Sequence, residues 1–116
     1  MLNCAIFGYG TVGTGVASIL MEKQDELSRR AGIEIRLRWV CDRSFRRLED
    51  HPLPSSIICT RDPARILGDP EINCVIELIG GEEPARSYVL EAIRAGKHVV
   101  TANKAVLSTF GKEIWG

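Results

Sequence analysis

The sequence predicts an α/β domain, a doubly wound parallel sheet of about five strands in a three-layer α/β/α arrangement. Two observations predict this fold class. Short apolar segments alternate with segments of helical period along the chain of 116 residues, and a glycine-rich turn over residues 8–13 joins the first apolar segment to the first helical one. Strands that alternate with helices pair in parallel through right-handed crossovers, with helices on both faces of the sheet.

The first third of the chain contains the first strand–helix–strand unit. Residues 2–7 form a short apolar run that predicts a buried strand, and residues 12–27 repeat apolar side chains at helical spacing. Gly32 follows a basic pair and provides a stop signal for helical structure. Residues 33–41 alternate apolar and charged side chains, which predicts a strand with one wetter face.

The remaining elements continue the alternation. Residues 43–55 contain clusters of charge and two prolines with little periodicity, and they are predicted to form an irregular surface segment. Further strands are predicted over residues 56–60, 73–79 and 98–101. Further helices are predicted from Pro63, over residues 84–95 with Gly96 as the end, and over residues 104–115.

The composition favours small molecules as partners. The chain is 45% hydrophobic and 26% charged, and 15 basic residues balance 15 acidic ones, so nucleic acid is not expected. Apolar runs fall far short of the roughly 18 residues of a membrane span, and no leader pattern precedes them, which predicts a cytoplasmic protein. The four widely spaced cysteines are expected to be reduced core residues rather than metal ligands: Cys4, Cys41, Cys59 and Cys74.

Gly8, Gly10 and Gly13 have the G-x-G-x-x-G spacing at the junction of a strand and a helix. The first glycine permits the tight turn, the second lets a pyrophosphate approach the backbone, and the third lets helix and strand pack closely. The helix N-terminus offers N–H groups to the phosphates. A triphosphate-binding loop is not favoured, because no Lys-Ser or Lys-Thr pair follows. The motif therefore predicts a Rossmann-like dinucleotide-binding domain.

The choice between NAD and NADP stays open. Asp42 ends the second predicted strand, where an acidic side chain can accept hydrogen bonds from the adenosine ribose of NAD. Arg43, Arg46 and Arg47 follow at once, and arginines can hold the additional 2′-phosphate of NADP, although they can also belong to a solvated loop.

Four segments of the chain resemble a known family. They are FGYGTVGTGV at 7–16, VIELIGG at 75–81, Pro84-Ala85-Arg86, and AGKHVVTANKAVL at 95–107. Together they resemble the N-terminal, cofactor-binding domain of homoserine dehydrogenase. The resemblance covers nearly the whole chain and weakens over residues 43–72. TANKA joined to ELIGG is its distinctive part.

The resemblance implies roles for particular residues. The turn that holds the pyrophosphate corresponds to Tyr9, Gly10, Thr11 and Val12, and the loop beside the cofactor corresponds to Gly80 and Gly81. The nicotinamide end corresponds to Thr101, Ala102 and Asn103, and Arg43 lies near the contact to a 2′-phosphate. Lys104 corresponds to a lysine beside cofactor and substrate, which assists the reacting oxygen and is therefore the catalytic candidate.

The resemblance also implies the function and the domain organisation. It implies NAD(P)-dependent interconversion of L-aspartate 4-semialdehyde and L-homoserine, a step of threonine, methionine and isoleucine biosynthesis. Residues 1–116 would be the dinucleotide-binding domain, inactive by itself, while substrate binding and homodimerisation would need a second domain outside this chain. Two alternatives stay open: a domain that senses the nicotinamide dinucleotide without catalysis, and another semialdehyde or sugar oxidoreductase.

The sequence makes less specific predictions for the roles of three further polar residues. Glu77 interrupts an apolar strand, and a buried carboxylate is costly unless it is paired. Its expected role is either a contact near the cofactor or domain junction, or a bond to a backbone N–H or a sheet edge. His51 and His98 are expected to have structural or solvent-exposed roles.

Overall fold

The fold of the chain is known from a computed structural model, which describes residues 1–81 and 83–101. Along the chain the elements are β1 (Leu2–Phe7), α1 (Thr11–Glu22), α2 (Gln24–Ala31), β2 (Ile35–Cys41), α3 (Phe45–Asp50), β3 (Ile58–Thr60), α4 (Ala64–Leu67), β4 (Cys74–Glu77), α5 (Ala85–Arg94) and β5 (His98–Thr101). The helix predicted over residues 104–115 lies outside the described residues.

The described strands form one parallel sheet in the order β3-β2-β1-β4-β5. The chain winds outward from β1 to β3 and then crosses back to continue from β4 to β5. The strand order therefore reverses between β1 and β4, and in such sheets ligands bind at the carboxyl edge beside this point. The predicted doubly wound α/β fold is confirmed.

Apolar clusters of the described residues cover both faces of the central part of the sheet. On one face Phe7 and Val75 pack with Ile66 of α4 and Ala92 of α5. The other cluster contains Ile6, Val40, Tyr9, Ala17 of α1, Leu48 of α3 and Ile57. Neighbouring residues of a strand enter opposite clusters, as the period of a strand requires. The three-layer arrangement follows from this division.

The single helix predicted over residues 12–27 is wrong in extent. The structure has two helices that meet at Lys23, the C-cap of α1 and the N-cap of α2. The second helix begins within the predicted range and runs to Ala31, past the last residue of the apolar period, and none of its residues is buried. The apolar period therefore gave no indication of the break at Lys23. The stop at Gly32 is confirmed: its φ is 71°, and its N–H donates to the carbonyl of Arg29.

The irregular segment predicted over residues 43–55 contains a helix, α3, so this prediction is wrong for residues 45–50. Ser44 is the N-cap, and its hydroxyl accepts a hydrogen bond from the N–H of Arg47. The helix presents one buried apolar residue, Leu48, to the core. A helix of six residues is too short to produce a recognisable period.

The cysteine prediction is confirmed in part. Cys4, Cys41 and Cys74 are buried, and all four cysteines are free thiols. Cys59 is exposed, which contradicts its assignment to the core. It lies on β3, an edge strand of three residues, where the side chains have fewer neighbours than in the central strands.

Candidate functional site

A cavity of about 260 Å³ opens at the carboxyl ends of β1, β2 and β4, on the edge where the strand order reverses. Five of the predicted site residues line it: Gly8, Gly10, Asp42, Arg43 and Gly80. Arg47, which was predicted among the basic residues after β2, also lines it. The topology therefore brings residues as far apart in sequence as Gly8 and Gly80 into one wall of the cavity.

The glycine turn has the three properties that the motif predicts. Gly8 has a φ of 101°, and a Cβ atom there would lie 2.8 Å from the carbonyl carbon of Leu78. A Cβ atom at Gly13 would lie 2.0 Å from the carbonyl oxygen of Gly8. A Cβ atom at Gly10 would meet no atom within 4 Å. Gly8 and Gly13 are therefore required for packing, whereas Gly10 leaves open space beside the cavity.

The first turn of α1 is suited to an anion. Gly10 is the N-cap and supplies no side-chain oxygen, and Thr11 and Val12 begin the helix without an acidic residue in the first turn. The N–H groups at the start of a helix have no intrahelical partner and carry a partial positive charge. Open space at Gly10 and this helix start together fit a pyrophosphate group.

Tyr9 belongs to the turn but directs its side chain into the core. The ring is 3% exposed, and the hydroxyl donates a hydrogen bond of 2.8 Å to the carbonyl oxygen of His51. Burial raises the pKa of the Tyr9 hydroxyl. The rings of Tyr9 and His51 meet edge to face at 6.3 Å, and His51 itself is exposed. The buried side chain of Tyr9 therefore fixes the glycine turn to the core.

Asp42 stabilises the glycine turn through a hydrogen bond to its backbone. Its carboxylate is buried and accepts hydrogen bonds from two backbone N–H groups, that of Tyr9 at 2.6 Å and that of Ser44 at 2.8 Å. Arg47 Nη1 lies 3.5 Å from the same oxygen that Tyr9 contacts. The position expected for a ribose-binding carboxylate thus holds a side chain that joins the glycine turn to the start of α3.

Three arginines surround this end of the cavity: Arg43, Arg47 and Arg61. Arg61 Nε donates a hydrogen bond of 2.9 Å to the carbonyl oxygen of Arg43. Arg46, by contrast, is directed to solvent and faces Asp50 at 4.0 Å. Arg61 was not among the predicted site residues, although its position directly after β3 places it on the same carboxyl edge of the sheet.

Cys41, the last residue of β2, also lines the cavity. Burial raises the pKa of its thiol to about 11, and the charge of Asp42 contributes in the same direction. The side chain is therefore a neutral thiol at physiological pH.

Glu77 and Thr101 connect the ends of β4 and β5. Glu77 is fully buried, and its carboxylate accepts hydrogen bonds of 2.6 Å from the N–H of Ile79 and from the hydroxyl of Thr101. Of the two expectations for Glu77, its bond to a backbone N–H is thus observed. Ile79 and Gly80 line the cavity, and Gly81 has a φ of 82°. His98, at the other end of β5, is exposed as expected.

Pro84 and Tyr88, near the start of α5, complete the described part of the cavity. Tyr88 lies on the helix predicted over residues 84–95, and its ring contacts that of Phe7 edge to face at 5.4 Å. Tyr88 also lines the cavity, which periodicity alone could not reveal. Ala102, Asn103 and Lys104 lie outside the described residues.

Comparison with known proteins identifies the family. A family model described as the NAD-binding domain of homoserine dehydrogenase matches residues 8–115. The chain belongs to this family. As a member of the homoserine dehydrogenase NAD-binding domain family, it is a nicotinamide-dinucleotide-binding domain, and the resemblance deduced from TANKA and ELIGG is confirmed.

Several proteins that are similar to this chain are named homoserine dehydrogenase. The homoserine dehydrogenase of Neisseria gonorrhoeae is 40% identical over 98% of this chain, and that of Methylobacillus glycogenes is 45% identical over 92%. The crystal structure of a homoserine dehydrogenase from Thiobacillus denitrificans superposes with a TM-score of 0.88 at 42% identity, over 98% of this chain and 26% of that one. The chain spans about a quarter of the length of the curated relatives it matches.

Two findings concern other kinds of site. Within residues 1–81 and 83–101, no helix combines the length and the apolar character needed to cross a membrane. The same part of the chain contains no group of three or more His, Cys, Asp or Glu side chains that could hold a metal ion.

Proposed function

We propose that this chain is the cofactor-binding domain, over residues 1–116, of an enzyme that interconverts L-aspartate 4-semialdehyde and L-homoserine with NADP(H). The observation that carries the proposal is the uncapped start of α1 at Gly10, which faces an arginine-lined cavity where the strand order reverses. Membership of the homoserine dehydrogenase family supports the substrate class. The whole enzyme is proposed to be a cytoplasmic homodimer with substrate binding in a second domain.

Each part of the described site has a proposed role. The backbone of Gly10, Thr11 and Val12 binds the pyrophosphate, because this helix start combines free N–H groups with open space. The adenosine half lies against the ends of β2 and β3, and the other half lies against Gly80 and the end of β5. The bound nicotinamide supplies or accepts the hydride. Lys104 is proposed to place its positive charge beside the reacting oxygen of the substrate.

Preference for NADP over NAD is part of the proposal. The carboxylate of Asp42 already accepts two backbone hydrogen bonds and is buried, so it is poorly placed to accept from both ribose hydroxyls. Arg43, Arg47 and Arg61 line the same end of the cavity. Guanidinium groups bind phosphate through paired, charge-assisted hydrogen bonds, so this cluster favours a 2′-phosphate over a hydroxyl.

The first experiment measures binding of NADPH and NADH to the chain by titration. Gly10→Ala should lower the affinity for both, because the new methyl group occupies the space through which the pyrophosphate approaches the backbone. Gly15→Ala is the matched control: it lies on the same helix, and its Cβ atom would also meet nothing within 4 Å. Equal affinity of the two variants would contradict the pyrophosphate site.

The preference for NADP is tested by the ratio of the two dissociation constants. Arg47→Ala should weaken NADPH binding about tenfold or more, as expected for loss of a hydrogen bond between charged groups, and leave NADH binding nearly unchanged. Arg46→Ala is the control, because Arg46 is adjacent in sequence but directed to solvent. Tighter binding of NADH than of NADPH by the parent chain would overturn the preference.

The substrate class requires an assembled enzyme, because hydride transfer needs both reactants in one site. Residues 1–116 would replace the matching quarter of the Thiobacillus denitrificans homoserine dehydrogenase, to which they are 42% identical. The chimera should reduce NADP in the presence of L-homoserine, and the chain alone should not. A folded chimera that binds NADPH but does not oxidise homoserine would contradict this part of the proposal.

A further inference from the structure

The carboxylate of Glu77 lies in a buried position, where a charged group is unfavourable by itself. The side chain is 0% exposed, and a buried carboxylate costs free energy unless its oxygens receive hydrogen bonds. Both oxygens are used: Oε2 accepts from the N–H of Ile79 at 2.6 Å, and Oε1 accepts from the hydroxyl of Thr101 at 2.6 Å. One carboxylate therefore joins the loop after β4 to the last residue of β5.

The sheet register explains why these groups meet. Glu77 and Thr101 are partners in the parallel pairing of β4 and β5, so their side chains lie side by side on the same face of the sheet. On that face Glu77 follows Val75, which packs beneath α5 in the apolar core. The carboxylate of Glu77 continues this face beyond the apolar core and adds a link between two strand ends.

The N–H group that Glu77 holds belongs to the wall of the cavity. Ile79 lines the cavity, and its nitrogen would lie 2.9 Å from a Cβ atom at Gly8, so the Leu78–Ile79 peptide packs directly against the glycine turn. The arginines occupy the β2–β3 side of this edge. A dinucleotide that crosses the edge with its adenosine at the arginines has its other half at the ends of β4 and β5.

We propose that Glu77 is a positioning residue for the second half of the dinucleotide site, because it fixes the end of β5 relative to the loop at residues 78–81. Glu77 touches neither cofactor nor substrate in this role. It acts through Ile79 and Thr101, whose positions define the surface on which the second nucleotide lies. The inference rests on the proposed function, since it presumes that a dinucleotide binds along this edge.

The test compares two ligands of the chain: NADPH, which spans the whole site, and adenosine 2′,5′-bisphosphate, which contains only the adenosine half. Glu77→Gln retains the size of the side chain but removes its charge: the remaining oxygen can accept from Ile79 and the NH₂ group can donate to the Thr101 hydroxyl, so both charge-assisted hydrogen bonds become weaker, neutral ones. NADPH binding should weaken about tenfold, while adenosine 2′,5′-bisphosphate binding stays within about twofold of the parent.

Thr101→Val tests the same hydrogen bond by changing the partner of Glu77. It provides the test if Glu77→Gln does not fold. It removes the hydroxyl that donates to Glu77 and should produce the same selective loss, which Thr101→Ser should largely restore. Ser87→Ala is the matched control, because Ser87 donates an equally short hydrogen bond of 2.6 Å to the carboxylate of Glu83 on the surface.

The outcomes separate the inference from the proposed function. If the parent chain binds neither ligand, the proposed function fails. If the parent binds both and Thr101→Val weakens both equally, or changes neither, the positioning role is overturned. Selective weakening of NADPH binding supports it, since a general loss of stability would affect both ligands alike.

Discussion

The carbonyl oxygen of Gly8 would lie 2.0 Å from a Cβ atom at Gly13, so the start of α1 rests directly on the backbone at the end of β1. No side chain fits between them. Because both contacting groups belong to the backbone, a larger residue at position 13 can be accommodated only by moving α1 away from the sheet. The turn that presents Gly10 to the cavity depends on this contact.

Gly13→Ala should therefore lower the free energy of unfolding, by about 3 kcal/mol or more, as severe overpacking does. Gly15→Ala provides the comparison on the same helix. A Cβ atom at Gly15 meets nothing within 4 Å, and alanine there should raise the free energy of unfolding by up to about 1 kcal/mol. Urea unfolding of the two variants checks both values. Equal stability of the two would contradict the close contact.

Asp42→Asn should destabilise the domain by about 1–3 kcal/mol, because the amide provides one acceptor oxygen for two backbone N–H groups. Affinities for NADPH and NADH should fall by similar factors, since the glycine turn serves both. Asp50→Asn is the control at an exposed carboxylate, where little change is expected. A selective loss of NADH affinity in Asp42→Asn would instead indicate that Asp42 binds the ribose hydroxyls.

Stability should decrease in alkali through the thiol of Cys41. Its pKa is raised from 9.0 to about 11 by burial, so the folded state disfavours the thiolate relative to the unfolded state. This contribution is fully present below pH 9 and is lost as the pH rises towards 11. Unfolding measured across this range should show a shallower decline in Cys41→Ala than in the parent chain. An identical decline in the variant and in the parent chain would show that Cys41 does not cause the loss of stability in alkali.

Lys104→Ala should lower the kcat of the chimeric homoserine dehydrogenase by about 100-fold or more, because a cation beside the developing oxyanion acts mainly on the transition state. The dissociation constant for NADPH should change little. Lys23→Ala, at the exposed junction of α1 and α2, serves as a control for removal of a lysine. Parallel losses in kcat and in NADPH affinity would place Lys104 on the cofactor instead.

Local patterns predicted the elements that have a strong signal of their own. β1, β2, β4, β5 and α5 were found at nearly their observed positions, because each is bounded by glycine, charge or a change of period. α3 was missed because, among its described side chains, only Leu48 is buried. The break between α1 and α2 at Lys23 was missed because α2 buries none of its residues, so the apolar period does not change there.

The site was predictable where a motif specifies backbone geometry. Gly8 and Gly13 behave as the spacing required, because the turn itself excludes side chains at these positions. Arg61 was not found, since its place beside Arg43 depends on β3 pairing with β2. The link between Glu77 and Thr101 depends in the same way on the pairing of β4 with β5.

The sequence by itself determined the alternation of strands and helices, the glycine turn, and the family to which the chain belongs, because these features are written in short, contiguous segments. Only the tertiary structure decided what Asp42 does. In sequence it is an acidic residue after a strand, where a ribose ligand is expected. In the fold its two oxygens accept hydrogen bonds from the N–H groups of Tyr9 and Ser44, and the bond from Tyr9, which is distant in sequence, forms only once β1 and β2 are in register.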